Sequence, residues 1–154
     1  MRGLIRSFSY ALNGIRRTIG SERNFRIHLT ALLYVLFFAQ FYDFGRVEYA
    51  ILLLTFALVL GAELLNTAVE EVVNGEYEGY DMHAKLAKDI AAGGVLVCAI
   101  TAVLVGVVLF WDIERICFIL QWLVQQPWRL PLFAASVVLA LLFISGRLRR
   151  KESK

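Results

Sequence analysis

Apolar positions in the first 20 residues recur at helical spacing. Steps of three and four residues separate Ile5, Phe8, Leu12, Ile15 and Ile19. A helix places such positions on one face, and the arginines of this segment then lie beside or opposite that face. A basic helix with one apolar face is typical of helices that lie in the lipid headgroup plane. We therefore expect residues 1–20 to form an amphipathic surface helix; packing on the protein's own surface is the alternative.

Four longer runs of mostly apolar residues follow this segment. They predict membrane spans at about 27–44, 47–74, 88–111 and 130–146. The third run is the cleanest, because it matches the roughly 20 apolar residues that a bilayer core requires, whereas the fourth is somewhat short. Tyrosine and tryptophan side chains lie at the ends of the runs, as in an aromatic belt. The pattern predicts an all-α membrane protein, in which residues 112–126 form an outer loop or an interfacial helix.

Composition agrees with this interpretation. Hydrophobic residues make up 59% of the chain and charged residues 19%, whereas a soluble domain carries about 45–50% apolar and about 25% charged residues. The basic residues gather towards the two ends rather than between exposed aromatic residues, so a nucleic-acid partner is not expected.

Lysine and arginine positions give the expected orientation. The N-terminal segment is rich in arginine, the loop at 75–89 carries Lys85 and Lys88, and the tail after residue 146 is basic. The loops at 43–48 and 112–129 have little net positive charge. Because positive residues favour the cytoplasmic side, four spans with both chain ends in the cytoplasm satisfy every loop.

The second apolar run carries an acidic stripe. At about 100° per residue, Glu63, Asn66, Glu70 and Asn74 fall within a sector of roughly 80° on one helix face. A charged side chain at the centre of a membrane helix costs on the order of 2.5–3.5 kcal/mol, so such residues usually face a polar cavity, a metal or a partner. The alternative is that Glu63 reaches headgroup water or pairs with a basic residue of another helix.

A second polar cluster, Lys85, Lys88 and Asp89, opens the third span on the same side; a solvated helix end is its alternative. Carboxylates beside a lysine suit Mg²⁺ and phosphate chemistry, because Mg²⁺ takes one or two carboxylates together with phosphate oxygens. No Walker A, Gly-rich kinase loop or protein-kinase catalytic-loop motif is present in the sequence. The residues alone therefore indicate an acidic site that could bind metal, and a proton or cation pathway would use similar groups.

Three sequence blocks add a resemblance to these patterns. They are ERNFRIH at 22–28, ELLNTAVEEVV at 63–73 and AKDIAAG at 87–93. With this spacing the sequence resembles the small membrane-embedded bacterial diacylglycerol kinase family, which includes the undecaprenol kinases. The resemblance covers residues 1–111, the expected lipid-kinase domain, and leaves 112–154 as an extra segment with the span at 130–146 and a basic tail.

The resemblance implies a surface helix, three transmembrane helices per subunit and a homotrimer in the bacterial inner (cytoplasmic) membrane, with the active site at the cytoplasmic face. It implies ATP- and Mg²⁺-dependent phosphorylation of a membrane lipid alcohol, undecaprenol or diacylglycerol, to its monophosphate. The ERNFRIH and DIAAG blocks look more like those of undecaprenol kinases.

Residue roles follow from the same resemblance. Glu63 looks like the general base that takes the proton of the lipid hydroxyl, and Asn66 supports the site. Glu22 and Glu70 look like the carboxylates that hold Mg²⁺ on ATP. The full ATP-binding set implied by the resemblance is Tyr10, Glu22, Glu70, Lys88 and Asp89.

Departures from the family pattern leave rival functions open. Asn74 stands where the family usually has Asp, Asp81 replaces a usual His, and many relatives lack the segment after Trp111. One rival is a structural or regulatory relative that has lost activity. The other is a small proton or cation conductor that uses Glu63 and Glu70, in which Lys88 has no obvious role.

Overall fold

The computed structural model describes residues 2–76, 79 and 81–146. The regular structure in this part is entirely helical, in the order α1 Arg2–Ser21, α2 Arg23–Ala39, α3 Arg46–Glu76, α4 Met82–Phe110, α5 Ile113–Gln125 and α6 Arg129–Ile144. The predicted all-α membrane architecture is confirmed. The predicted basic tail, residues 147–154, lies outside the described residues.

Helix α1 is amphipathic, and the protein leaves much of its apolar face uncovered. Leu4, Ile5, Phe8 and Leu12 are all well exposed, whereas Thr18 near the end of the helix is buried. The described contacts of α1 are with α2 and α3, which an exposed ion pair between Arg17 and Glu71 illustrates. Because apolar side chains on the first turns do not pack on the rest of the subunit, this face is free to meet lipid, as the surface-helix prediction requires.

Helices α3 and α4 form the main hairpin, and they pack against each other more extensively than any other pair. Both are long and apolar enough to cross a membrane. Since α3 has 31 residues and each residue adds about 1.5 Å, it is longer than the roughly 30 Å hydrocarbon core. At least one end of α3 therefore extends into the headgroup region, and the predicted orientation makes its polar C-terminal end cytoplasmic.

The C-terminal segment is a bent pair of helices. Asp112 caps α5 by accepting a hydrogen bond from the Arg115 backbone N–H at 3.0 Å, and α5 meets α6 at an angle of 105°. Within the described ranges, α3 and α4 are the two helices long and apolar enough to span a membrane. The number of such spans rises to three if α5 and α6 together form one bent span. Helices α2 and α6 have 17 and 16 residues, fewer than the roughly 20 that a bilayer core requires. The four-span topology therefore stays a prediction.

Helix α6 lies antiparallel to α2. The Phe133 ring contacts Tyr34 and Phe38, with centroid distances of 6.1 and 6.0 Å. Near the other end of α2, Phe41 lies 4.9 Å from Trp122 of α5. The hydroxyl groups of Tyr34 and Ser136 share a hydrogen bond of 3.0 Å between the two helices. The segment that follows residue 111 is therefore packed on the first membrane helix rather than detached from the domain.

Arg26 joins three helix ends. Its side chain is buried, with 7% of the residue exposed. Nη1 donates to the carbonyls of Ile19 and Gly20 at the end of α1, both at 3.1 Å, and Nε donates to the Ile144 carbonyl at the end of α6, at 3.2 Å. The last carbonyls of a helix lack partners within the helix and carry partial negative charge, so a guanidinium suits them. Arg26 therefore fastens α1 and α6 to α2.

Candidate active site

The acidic stripe of α3 faces the protein interior at Glu63. Only 2% of Glu63 is exposed, because this face of α3 packs towards α2. The nearest basic group is His28 of α2, whose Nε2 lies 3.4 Å from Glu63 Oε1. The contact is close enough for an ion pair with a protonated histidine, but it is not aligned as a hydrogen bond, and Oε1 has no hydrogen-bond partner. Glu63 therefore does not reach headgroup water in this structure, whereas a contact with a basic residue of another helix, the other part of that alternative, is present.

One turn further along α3, Asn66 and Glu70 form a hydrogen-bonded pair. Asn66 Nδ2 donates to Glu70 Oε1 at 2.9 Å, the contact expected of side chains four residues apart on a helix. Asn66 Oδ1 is buried and unpartnered. Glu63 Oε1 and Asn66 Oδ1 are thus two buried oxygen acceptors, three residues apart on one face, without donors. Buried acceptors of this kind are rare unless a ligand, an ion or water completes them.

Glu22 approaches the stripe from the junction of α1 and α2. Its backbone is extended (φ −93°, ψ 119°), which breaks the helix, and its side chain makes no capping hydrogen bond. The Glu22 and Glu70 carboxylates are the two charges that act most strongly on Glu63. The fold therefore places Glu22 near enough to Glu63 for their charges to interact, although Glu22 lies about 40 residues before Glu63 in the sequence.

The donor set is suitable for Mg²⁺. In the described part of the chain, no group of three or more His, Cys, Asp and Glu side chains could hold a metal ion by itself. Mg²⁺ does not need such a cage, because it is usually bound by one or two carboxylates together with substrate phosphates and water. The half-buried carboxylate of Glu70, the free carboxylate of Glu22 and the orphaned Asn66 oxygen are hard oxygen ligands of the required type.

Lys88 connects α4 to the end of the stripe. Its ammonium donates a hydrogen bond to Asn74 Oδ1 across the α3–α4 hairpin. Because Asn74 is neutral, this contact positions Lys88 without neutralising its charge. The next residue, Asp89, is exposed. Lys88 is thus held at the same end of the hairpin as Glu70, where a phosphate group could meet it.

Asp81, the second departure from the family pattern, has a local structural role. Its backbone is extended, and its carboxylate accepts a hydrogen bond from the Ala84 N–H at 2.8 Å, so it is the N-cap of α4. A side-chain oxygen at this position satisfies one of the free N–H groups of the first turn. The substitution therefore fixes the start of the helix that carries Lys88.

Tyr10 is a predicted site residue that lies on the exposed surface of α1. It is 73% exposed and lies roughly two turns before the buried Thr18 on α1. Its predicted role near a nucleotide stays untested. Conversely, the sequence interpretation left His28 out of the site. The available signal was that His28 is one of few polar residues in a run free of formal charge, 27–42.

The amino-acid sequence is similar to those of known lipid kinases. The sequence profile of the family described as Prokaryotic diacylglycerol kinase matches residues 9–110. A diacylglycerol kinase of Synechocystis sp. is 44% identical over 104 residues, which are 67% of this chain and 59% of that relative. An undecaprenol kinase of Bacillus subtilis is 36% identical over 105 residues, 68% of this chain and 85% of that relative.

A diacylglycerol kinase of Escherichia coli is 30% identical over 109 residues, 71% of this chain and 89% of that relative. The match to the Synechocystis protein thus spans less than two thirds of its length. The profile match at 9–110 contains every candidate site residue, from Tyr10 to Asp89, and it ends before α5 begins. The candidate site therefore lies within the profile match, whereas α5 and α6 lie outside it.

Proposed function

Because this chain belongs to the prokaryotic diacylglycerol kinase family, a family of lipid kinases, we propose that it transfers the γ-phosphoryl group of Mg²⁺-bound ATP to the hydroxyl of a membrane lipid alcohol. The products are the lipid monophosphate and ADP. The observation that carries this proposal is the buried Glu63 carboxylate, with an unpartnered oxygen and with Glu22 and Glu70 beside it, on the helix that extends beyond the hydrocarbon core.

Glu63 is the general base in this proposal. Phosphoryl transfer needs an attacking oxygen in line with the phosphate and a group that accepts its proton. The unpartnered Oε1 supplies a free acceptor in a site closed to bulk water. The proton of the lipid hydroxyl goes to Glu63 as the oxygen–phosphorus bond forms and the bond to ADP breaks. His28, whose Nε2 lies 3.4 Å from the same Oε1 without a hydrogen bond to it, keeps Glu63 in place.

Glu22 and Glu70 hold Mg²⁺ in this proposal, and the ion supplies positive charge against the phosphate oxygens. Asn66 holds one oxygen of Glu70 through its amide, which leaves the other oxygen of Glu70 for the metal. Asn66 thereby supports the site through both its amide and its free Oδ1.

In this proposal, residues near the beginning of α4 and on α1 bind the nucleotide. Lys88 is held by Asn74 at the end of the stripe, where its ammonium can meet a phosphate as a point charge. Asp89, exposed beside it, is proposed for the sugar, and Tyr10 for the region near the base. The exposure of Asp89 and Tyr10 is consistent with contacts that form only when nucleotide arrives from the cytoplasm.

The proposed setting is the bacterial inner membrane, with the site at the cytoplasmic face and with three copies assembled as a homotrimer. The basic N-terminal segment supports this orientation. No residue of the most apolar window of α4 is buried within the subunit, so that surface must be covered by lipid or by other copies. The mass of the purified protein, measured by light scattering with detergent subtracted, tests the trimer.

Two acceptors compete, undecaprenol and diacylglycerol. The ERNFRIH block favours undecaprenol, and the names of two of the three relatives above favour diacylglycerol. Vesicles that contain the purified protein, γ-labelled ATP, Mg²⁺ and one lipid at a time decide between them. We expect labelled monophosphate from one lipid at a rate well above that of the Glu63→Gln variant. Absence of label in both lipids, from a folded protein that binds ATP, would contradict the proposed function.

A further inference from the structure

A long apolar groove runs between α2 and α6 and is closed at one end by α5. Its volume is about 730 Å³, within the range of roughly 300–1,000 Å³ that is usual for ligand sites. Leu33 and Phe37 of α2 form one wall, Leu139 and Ala140 of α6 form the other, and Trp122 lies at the α5 end. Most of the residues that line the groove lie after residue 110, where the profile match ends. The family assignment therefore gives the groove no role.

The hydroxyl groups that line this groove are satisfied, whereas one charged group is only partly satisfied. Tyr34 and Ser136 bond to each other, Ser136 also donates to the Phe133 carbonyl, and Thr30 donates to the Arg26 carbonyl. These contacts make the walls of the groove apolar along its length. A ligand that fills it must therefore present hydrocarbon to both helices.

Arg129 is this charged group, and it lies at the α5 end of the groove. Nη1 donates to the Trp122 carbonyl at 2.8 Å, while Nε is buried and has no partner. The guanidinium lies over two indole rings, 4.2 Å from the centroid of Trp122 and 5.5 Å from that of Trp128. The three ion pairs found in the described ranges do not include Arg129.

The charge of Arg129 is therefore incompletely compensated. Cation–π contacts offset part of the desolvation of a guanidinium, but a membrane-interface arginine is most favourable beside an anion. Arg129 is also the first residue of α6, where the helix dipole favours negative charge over positive charge. A phosphate group at this point would pair with the positive charge of the guanidinium and would also meet the positive end of the helix.

We propose that the groove binds one acyl chain of an anionic phospholipid, with the lipid phosphate at Arg129. The groove supplies the apolar length, and Arg129 selects the negative headgroup over a zwitterionic one. In the predicted orientation Arg129 lies at the outer face, opposite the site around Glu63. The bound lipid is thus an outer-leaflet lipid, distinct from the lipid alcohol that is phosphorylated.

Tryptophan fluorescence tests this proposal without reference to kinase activity. Two of the three tryptophans, Trp122 and Trp128, flank Arg129. The full chain in phosphatidylcholine vesicles is titrated with brominated phosphatidylglycerol or with phosphatidylcholine that has the same brominated chains. Both lipids carry a phosphate, but the choline cation of phosphatidylcholine repels the guanidinium of Arg129. We therefore expect the anionic lipid to quench at an about tenfold lower mole fraction.

Three variants separate the cause. Arg129→Gln should remove the preference, and Arg129→Lys, which keeps the charge but not the planar fork, should leave part of it. Arg115→Gln is the matched control, because Arg115 is an outer-face arginine that already pairs with Asp43. Ala140→Phe fills the groove and should weaken quenching by both lipids while Arg129 is intact.

Equal quenching by the two lipids in the parent protein, or an unchanged preference in Arg129→Gln, would overturn the proposal. If Ala140→Phe leaves quenching unchanged and instead splits an oligomer, a second copy of the chain occupies the groove, and the proposal is wrong. Circular dichroism of each variant in the same vesicles establishes that it is folded.

Discussion

His28 Nε2 lies 3.4 Å from Oε1 of Glu63, so a histidine of α2 contacts the buried carboxylate of α3. The contact connects the ERNFRIH block, which contains His28, to the ELLNTAVEEVV block, which contains Glu63. A buried carboxylate with few partners depends on its neighbours for its orientation, and a base must be held in reach of the proton that it accepts. His28 is therefore assigned to positioning rather than to direct contact with substrate.

Replacement of His28 by leucine should lower kcat by about tenfold to a hundredfold, the usual cost of losing a residue that orients an active group, with little change in the KM for ATP. His28→Gln keeps a polar side chain of similar length beside Glu63 and should retain most of the rate. The control is His83→Leu, because His83 is the other histidine of the chain and is exposed. Initial rates of lipid labelling decide. Equal losses in the glutamine and leucine variants would mean that a polar side chain at this position is unimportant for the rate.

Glu70→Gln should act on Mg²⁺-ATP affinity more than on the chemical step. The substitution removes a proposed metal ligand but retains an acceptor for Asn66, so the local hydrogen bond survives. We expect the KM for Mg²⁺-ATP to rise by about tenfold or more. Glu71→Gln is the matched control, since Glu71 is an exposed neighbour that pairs with Arg17. A KM that rises equally in both variants would remove Glu70 from the metal site.

Arg26→Gln should destabilise the protein. It removes a guanidinium that donates to carbonyls at the ends of α1 and α6, and hydrogen bonds from charged groups are usually worth about 1.5–3 kcal/mol each. We expect the free energy of unfolding in mixed micelles to fall by about 2–4 kcal/mol. Arg23→Gln, at an exposed position three residues earlier, should have little effect. Similar values for the two variants would mean that Arg26 does not hold the helix ends together.

Asp81→Ala should weaken the start of α4. The alanine variant loses the N-cap hydrogen bond to Ala84, which costs about 1 kcal/mol, whereas Asp81→Asn keeps a capping oxygen and should cost only a few tenths. Unfolding followed by circular dichroism measures both. If the alanine and asparagine variants were equally stable, the capping assignment would be wrong and the departure from the family pattern would need another explanation.

The sequence predicted the features that belong to single helices. The stripe of Glu63, Asn66 and Glu70 followed from helical periodicity, and the resemblance recognised from three blocks is confirmed by the family match. Residue roles and the four-span topology stay predictions. Periodicity predicted which residues of α3 share the acidic stripe, but only the structure shows that Glu63 is buried rather than exposed to headgroup water.

Contacts between distant segments could not be predicted in this way. The approach of His28 to Glu63, the contact of Arg26 with Ile144 and the unpartnered Nε of Arg129 all depend on how the helices pack. Periodicity gives the face of a helix but not its partner. The 105° angle between α5 and α6 is likewise not given by periodicity, although Pro127 and Pro131 mark that region in the sequence.

The rate at which Glu63→Gln labels lipid, measured beside its ATP affinity, tests the central claim most directly. Glutamine keeps the size of the side chain but cannot take the hydroxyl proton. We predict a loss of about 10²- to 10⁴-fold in the labelling rate, with ATP affinity unchanged within about threefold. A Glu63→Gln protein that labels lipid at the parental rate would contradict the assignment of Glu63 as the base.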